Sequence, residues 1–250
     1  MKSILFNFIN GALSGYISGI TKDSVNMKFF QNQLSLTDLH LKKYAFFQHG
    51  LPVKVKSSVI QSVDIKIPWS SFQNDPVNIF VKNCVMVLKL PCNDFDEFVN
   101  EKEFFDIRES QLDAHELFKK RYFNLLKTIS KQTLENIVAR CLYSLQMNIS
   151  NLHVIVEFPD DDKSDIIGFE IQNIKLSNPK VEEGIPKYYE KEIMIKGISF
   201  YLDNAVDCFK EENDIMEYVE SLSKLKHDYV YQNEMISGNI QIKENESGFN

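Results

Sequence analysis

The sequence predicts an α+β fold, with long β-strands on either side of a helical segment in the middle of the chain. Long stretches in which apolar and polar residues alternate predict the strands, and apolar residues at helical spacing between 94 and 147 predict the helices. The chain has 250 residues, enough for one domain with a substantial core. Its 44% hydrophobic and 25% charged residues favour a globular protein over a disordered or membrane-embedded one.

An amphipathic helix is predicted at residues 2–20. Lys2 is followed by uncharged residues as far as Thr21, and at about 100° per residue the apolar side chains form a stripe opposite amides and hydroxyls. The stripe consists of Leu5, Ile9, Ala12, Leu13, Tyr16 and Ile20. A membrane span or a signal peptide fits this pattern less well, because a span needs about 20 predominantly apolar residues and would not give one face to amides.

Strands are predicted between residues 24 and 90, because the apolar period changes from 3.6 to 2 after the first helix. The clearest strand runs from Val53 to Ile67, where valines and isoleucines share one parity and lysines and serines mostly take the other. Such a strand would span roughly 50 Å, so either the sheet is unusually broad or the strand bends. A second long strand, from Val77 to Val87, repeats the pattern.

The rest of the chain continues with the same two kinds of element. Helices are predicted at 94–147, strands between 152 and 202, and one more helix at 212–226. Residues 1–230 are predicted to form one module. Residues 231–250 start a further strand, which indicates a fragment or truncated copy of a longer protein.

Charge is distributed unevenly along the chain. The net charge is -7, but the first 72 residues contain eight lysines and three aspartates, a sum of +5 that leaves -12 for the remainder. A basic end favours the anionic cytoplasmic surface of a membrane, although lysines on solvated strand edges would give the same count. Nucleic acid is not an expected partner, because this segment has no arginine and no RNA-binding signature.

Local signatures of catalysis and metal binding are missing from the sequence. No nucleophile elbow, zinc-protease, P-loop or dinucleotide-binding motif occurs. The four cysteines form no C-x-x-C pair and the five histidines are scattered, so reduced cytosolic thiols are expected and neither a metal nor a cofactor is. The acidic run at 160–165 lacks the glycine and glutamate of a calcium loop. The chain is therefore not expected to be an enzyme.

Three phrases in the first third resemble the N-terminal chorein domain of the vacuolar protein sorting 13 family. They are Leu34-Ser-Leu-Thr-Asp-Leu-His-Leu41, Gly50-Leu-Pro-Val-Lys-Val-Lys56 and Val63-Asp-Ile-Lys-Ile-Pro-Trp69. Residues 148–157, 168–176 and 193–202 resemble the later strands of that family, so the resemblance covers nearly the whole chain.

This resemblance implies a strongly curved, mainly antiparallel sheet that forms a hydrophobic groove and is capped by the helical insertion. It also implies the activity of a bridge-type lipid-transfer protein, which is the non-enzymatic transfer of glycerophospholipids between membranes at organelle contact sites. The protein would be cytoplasmic and peripheral, with its N-terminal end at the endoplasmic reticulum. A membrane protein such as a scramblase would be an expected partner there.

Two sets of site residues are expected on this basis. The residues expected to line the groove are Leu34, Leu36, Val55, Val59, Val63, Ile65, Val77, Ile79, Val81, Val85, Val87, Phe169, Ile171, Ile193 and Ile195. The residues expected near the membrane are Lys2, Leu5, Ile9, Leu13, Tyr16 and Lys22. Two alternatives stay open: the helices cover the apolar strand faces as in an ordinary two-layer domain, or the module is a protein-binding scaffold that carries no lipid.

Overall fold

The computed structural model describes most of the strands and one of the helices. The described residues are 16–18, 25–28, 33–47, 51, 53–68, 75–90, 144–159, 164–178, 189–205, 214–223 and 227–242, together with single positions between 105 and 130. The strands in these ranges are β1 (Ile17–Ser18), β2 (Val25–Lys28), β3 (Gln33–Leu41), β4 (Lys54–Lys66), β5 (Asn78–Lys89), β6 (Gln146–Pro159), β7 (Ser164–Ser177), β8 (Tyr189–Ala205) and β9 (Asp228–Ile242). The helix is α1 (Ile215–Ser223).

All nine strands belong to one open, curved sheet with the order β1-β3-β4-β5-β6-β7-β8-β9, and β2 pairs with β3 beside β1. Every neighbouring pair is antiparallel except β5 and β6, which are parallel. The predicted mainly antiparallel sheet is therefore confirmed. β4 and β8 have 13 and 17 residues, and their valine and isoleucine side chains favour strands and pack against cross-strand neighbours.

The predicted first helix is corrected at its end. Ile17 and Ser18 are strand residues that pair with Leu41 and His40 of β3, so a helix cannot continue to residue 20. Residues 1–15 of this prediction lie outside the described part of the chain.

The parallel pair β5 and β6 requires a connection that returns along the full length of the strands, and such crossovers are usually helical. The described positions in the intervening segment agree, because Phe105, Leu112 and Ser144 among others are helical. The predicted helical segment ran to residue 147. Ser144 is the last helical residue of this segment and Gln146 already belongs to β6, so the end of the helical segment is corrected to Ser144.

A line of left-handed residues crosses the sheet at right angles to the strands. Among the described residues, the four with positive φ are Asp38 (53°), Asn83 (49°), Asn151 (57°) and Gly197 (59°). The registers on both sides place them in one row, which we call the crease and which consists of Asp38, Gln61, Asn83, Asn151, Gln172, Gly197 and Glu234. Aspartate, asparagine and glycine are the residue types that adopt this conformation at least cost.

Side-chain amides join neighbouring strands along the crease. Asn83 donates from Nδ2 to Gln61 Oε1, and Asn151 donates from Nδ2 to Asn83 Oδ1 at 2.7 Å. These hydrogen bonds link β4, β5 and β6 at the row where Asn83 of β5 and Asn151 of β6 have positive φ. The crease is thus a shared feature of the sheet and not an irregularity of one strand.

The alternation of side chains restarts out of step at the crease. Leu36 and Leu39 are both buried in one apolar cluster, and so are Ile60 and Val63 of the next strand. Two residues, instead of one, separate the successive buried side chains in each case. A shift of one residue exchanges the two faces of a strand. In β4 the odd-numbered Val63 and Ile65 face the cluster on one side of the crease, whereas the even-numbered Ile60 faces it on the other side.

Gly197→Ala is predicted to lower the free energy of unfolding by about 1–2 kcal/mol, the cost of the left-handed conformation for an L-residue. The added Cβ would also lie 2.3 Å from Gln172 Cδ. Gly238→Ala is the matched control on β9, because a Cβ there meets only Ile193 Cγ2 at 3.9 Å. Urea denaturation of both variants measures the difference, and equal losses would contradict the proposed strain at Gly197.

Candidate functional site

One face of the sheet is apolar on both sides of the crease. We call it the apolar face. From β3 to β6 it includes Leu34, Leu36, Leu39, Ile60, Val63, Ile65, Val77, Ile79, Val81, Cys84, Met86 and Leu152. Cross-strand partners continue it through β7, β8 and β9, with the rows Leu152, Ile171, Ile198 and Ile149, Ile174, Ile195, Ile236.

The side chains of the apolar face are buried where β3, β4 and β5 form it, and we call this part its closed end. Leu36, Leu39 and Ile65 are fully or almost fully buried, and Leu145 packs against the same cluster. The apolar side chains of β3, β4 and β5 therefore form an ordinary protein core, in which dispersion contacts and burial stabilise the fold.

The apolar face is exposed where β7, β8 and β9 form it, and we call this part its uncovered end. The exposed fraction is 41% for Phe169, 48% for Leu202, 39% for Tyr231 and 41% for Ile236. The rings of Phe169 and Phe200 have centroids 5.9 Å apart, and those of Phe200 and Tyr231 lie 5.6 Å apart and stack. Exposed apolar side chains that lie side by side in this way make this part of the face a candidate binding surface.

The opposite face, which we call the mixed face, is covered by α1 on one side of the crease. Ile215, Tyr218 and Leu222 of α1 pack in one cluster with strand residues of this face. Those strand residues are Val59, Val85, Val87, Ile155, Ile166 and Tyr201. On the other side of the crease the mixed face carries polar residues such as Asn148 and Asn173, whose side chains are hydrogen bonded at 2.7 Å.

Three of the residues expected to line the groove lie on the mixed face. Val59, Val85 and Val87 lie under α1 on the mixed face, so they do not line the apolar face. The sequence prediction assigns all the odd-numbered residues of β4 and β5 to one face. The crease, however, exchanges the two faces between Val59 and Val63.

The other expected residues lie on the apolar face. Leu34, Leu36, Val63, Ile65, Val77, Ile79 and Val81 are at its closed end. Phe169, Ile171, Ile193 and Ile195 are at its uncovered end and are exposed or half-buried. Val55 is buried and pairs with Leu88, which shares the parity of Cys84 and Met86, beyond a bulge in β4.

Several contributors to the apolar face were missed by sequence reasoning. Ile198, Phe200 and Leu202 continue β8 beyond Gly197, and Tyr231 and Ile236 belong to β9. The signal that could have identified them is the glycine inside a long strand, which commonly marks a bulge or bend.

Of the residues expected near the membrane, only Tyr16 lies within the described part of the chain. Its carbonyl accepts a hydrogen bond from the backbone N–H of Lys42 at 2.8 Å. Lys2, Leu5, Ile9, Leu13 and Lys22 lie outside that part. Among the described residues, no helix is both long and apolar enough to span a bilayer.

A hydrogen bond to an ion pair between β4 and β6 ties α1 to the mixed face. The Nζ atom of Lys56 lies 2.5 Å from Glu157 Oε2, and the hydroxyl of Tyr218 donates to Glu157 Oε1 at 3.2 Å. Glu157 is almost fully buried, so removing either partner would leave a carboxylate short of its compensation.

A second polar cluster seals the same face next to α1. The Tyr201 ring lies flat over Gly168, where a Cβ would come within 1.9 Å of Tyr201 Cζ. Its hydroxyl lies 2.9 Å from His153 Nε2, and the His227 imidazole stacks on the ring with centroids 4.0 Å apart. His227 Nδ1 is held 2.6 Å from a carboxylate oxygen of Asp203. Burial raises the pKa of Tyr201 far above its usual value, so the hydroxyl stays protonated.

The fold and the site together define a β-sheet protein with one apolar face, closed at one end and uncovered at the other. No family model matches the chain. Several curated proteins are similar to it in sequence. It is 24% identical to intermembrane lipid transfer protein VPS13A of Mus musculus over 93% of this chain, and 21% identical to vps13A of Dictyostelium discoideum over 84%. It is also 21% identical over 98% of its length to vps13B of Dictyostelium discoideum.

These relatives confirm the resemblance to the VPS13 family that the sequence phrases indicated. They are intermembrane lipid transfer proteins by name, and the similarity is consistent with an N-terminal chorein-like domain. The chain spans only 8%, 7% and 5% of the lengths of the three relatives. The similarity therefore concerns a small part of each of them.

The stability of the fold is predicted to decrease as the pH falls below about 6.5, the usual pKa of histidine. Burial lowers the pKa of His153, outweighing the opposing charge of Glu170, and the charge of His227 lowers it further. The unfolded chain therefore binds a proton at His153 more readily than the folded protein does. The stability that the neutral His153 contributes is complete above the pKa of the unfolded state and is lost as the pH falls below it.

His153→Gln removes this titration while leaving a side chain that can hydrogen bond to Tyr201. Urea denaturation at pH 7.5 and pH 5.5 measures the change, and the wild-type protein should lose more stability between the two values than the variant. Identical losses would show that His153 is not the source of the dependence.

Proposed function

We propose that the chain binds glycerophospholipids through its apolar face and transfers them between membranes without catalysis. The acyl chains lie against the uncovered end of the face, between the closed end at β3 to β5 and the ring contacts of Phe169, Phe200 and Tyr231, which we call the aromatic row. The observation that carries the proposal is the uncovered apolar surface at Phe169, Leu202, Tyr231 and Ile236. The names of the VPS13 relatives support it.

The energetics favour an extended apolar surface for this task. A phospholipid that leaves a bilayer exposes its chains at about 0.8 kcal/mol per CH₂, which amounts to roughly 10 kcal/mol for one chain of about 16 carbons. The isoleucine and phenylalanine side chains of the face replace the hydrocarbon that the lipid loses. They offer no hydrogen bonds, so a polar headgroup gains nothing by entering and stays toward water.

The resemblance to the VPS13 family supports a proposal for the site of action. The chain works at the cytoplasmic surface of membranes at organelle contact sites, with its N-terminal end at the endoplasmic reticulum as donor membrane. A membrane protein such as a scramblase at that end would balance the lipid content of the two leaflets. The basic first third of the sequence, with its net charge of +5, supports this orientation.

A pair of aspartate substitutions at one cross-strand position tests the proposal. Ile195 and Ile236 pair directly on the apolar face, where a carboxylate beside an acyl chain would be desolvated at a cost of several kcal/mol. The double variant Ile195→Asp/Ile236→Asp should therefore lose at least about 10-fold of its co-purifying phospholipid. Native mass spectrometry of the intact chain measures the bound lipid.

The neighbouring residues provide a matched control. Met194 and Met235 follow the same strands but lie on the mixed face, and they are half-buried and exposed, respectively. The variant Met194→Asp/Met235→Asp should keep its lipid. A wild-type chain without bound phospholipid would favour the competing protein-binding scaffold, and equal losses in the two variants would contradict lipid binding on the apolar face.

A further inference from the structure

A polar side chain of β9 interrupts one row of the apolar face. The row that runs through Leu152, Ile171 and Ile198 continues to β9, where its next member is Asn233. Asparagine is depleted in strands, and it loses hydration when it lies on an apolar surface. Asn233 is nevertheless half-buried, although its neighbours along β9 are exposed. An asparagine at this position therefore needs hydrogen-bond partners.

The backbone of β9 orients the Asn233 amide. The N–H of Met235 donates to Asn233 Oδ1 at 3.0 Å, which identifies Oδ1 as the acceptor end of this amide. The other end, Nδ2, lies 2.8 Å from the hydroxyl oxygen of Tyr231. Because an amide nitrogen of asparagine only donates, the Tyr231 hydroxyl is the acceptor in this hydrogen bond.

The hydroxyl of Tyr231 still has its own proton to donate. A hydroxyl that accepts one hydrogen bond can donate another, and it does so more strongly for having accepted the first. Within the described part of the chain, the bond from Asn233 is the one hydrogen bond that Tyr231 makes. The ring of Tyr231 stacks on Phe200 without using the hydroxyl. An oriented donor therefore lies at the end of the aromatic row, on exposed apolar surface.

The chemical group that fits this donor is a neutral oxygen acceptor attached to hydrocarbon. The acyl ester carbonyl of a glycerolipid is such a group, because it joins each acyl chain to the glycerol backbone. The phosphate of a phospholipid is also an acceptor, but it is charged and is usually bound by arginine or lysine. β9 contains Asp228 and Glu234 and neither lysine nor arginine, so its charges repel a phosphate.

We propose that Tyr231 and Asn233 form a subsite for an acyl ester carbonyl of a glycerolipid. The Tyr231 hydroxyl donates to the carbonyl oxygen, and Asn233 orients the hydroxyl. The subsite rests on the proposed function, because it identifies where the ester end of a bound lipid lies on the apolar face. The acyl chain then extends over Phe200 and Phe169 toward the closed end. β9 is the last strand of the described sheet, so the headgroup beyond the ester reaches water.

A competition between two phosphatidylcholines tests the subsite. One has acyl ester linkages and the other has alkyl ether linkages to chains of the same length, so only the first offers carbonyl oxygens. The full chain is incubated with vesicles that contain equal amounts of both and is then separated from them, and mass spectrometry measures the bound lipids. The wild type should prefer the ester lipid by about 2- to 10-fold, the contribution of one hydrogen bond between neutral groups.

Two substitutions should abolish this preference. Tyr231→Phe should bind the ester and ether lipids equally, and its binding of the ether lipid should match that of the wild type because the ring is retained. Asn233→Asp keeps an acceptor for the Met235 N–H but cannot donate to Tyr231. The Tyr231 hydroxyl would then donate to the new carboxylate, so the preference for the ester lipid should be lost although the hydroxyl is still present.

The control variant is Tyr229→Phe, which removes a hydroxyl from the same strand on the mixed face. The Tyr229 ring lies edge-on to Tyr201, with centroids 6.0 Å apart. This variant should keep the preference of the wild type for the ester lipid. Circular dichroism and urea denaturation establish that all variants are folded to the same extent.

Equal binding of the two lipids by the wild type would overturn the subsite, and so would a preference that Tyr231→Phe retains. If Tyr231→Phe weakened the binding of both lipids to the same degree, the hydroxyl would contact the phosphate that both contain, and the ester subsite would be contradicted. A wild-type chain that takes up neither lipid would contradict the proposed function itself. Lipid bound without a preference removes the subsite alone and leaves the apolar face as the carrier site.

Discussion

One constraint governs this sheet: a single face must stay apolar along long strands in which the alternation of side chains shifts by one residue part of the way along. The crease satisfies it. Asn83, Asn151 and Gly197 adopt left-handed conformations in one row, and the alternation of each strand resumes one residue out of step beyond that row. The sequence compensates for the shift, so isoleucine, leucine and phenylalanine remain on the apolar face on both sides.

The two faces then take different roles. The mixed face is sealed where it is apolar, because α1 covers it and Tyr218 of α1 donates a hydrogen bond to the buried Glu157. The apolar face is sealed only at β3 to β5, and its exposure increases toward β9. Under the proposed function, the uncovered part of the apolar face is the site for hydrocarbon, and the closed part is the core that supports it.

Much of the fold could be predicted from the sequence, because alternation over many residues is a strong signal for a strand. The faces could not be predicted throughout. Val63 and Ile65 were placed on the apolar face, but Val59 and Val85 were assigned to it by the same parity and lie under α1. In the sequence, an asparagine such as Asn83 cannot be distinguished from a polar residue on the solvent-exposed face of a strand. Its φ and its position opposite Asn151 become known only with the register of the strands.

The most direct test of the apolar face is photocrosslinking with a phospholipid that carries a diazirine near the end of one acyl chain. Peptide sequencing of the crosslinked chain by mass spectrometry then identifies the residues that touch hydrocarbon. Crosslinks should concentrate on Phe169, Phe200 and Tyr231. A label found on Met216 of α1 or on Met235 of the mixed face, with the aromatic row unlabelled, would contradict the account.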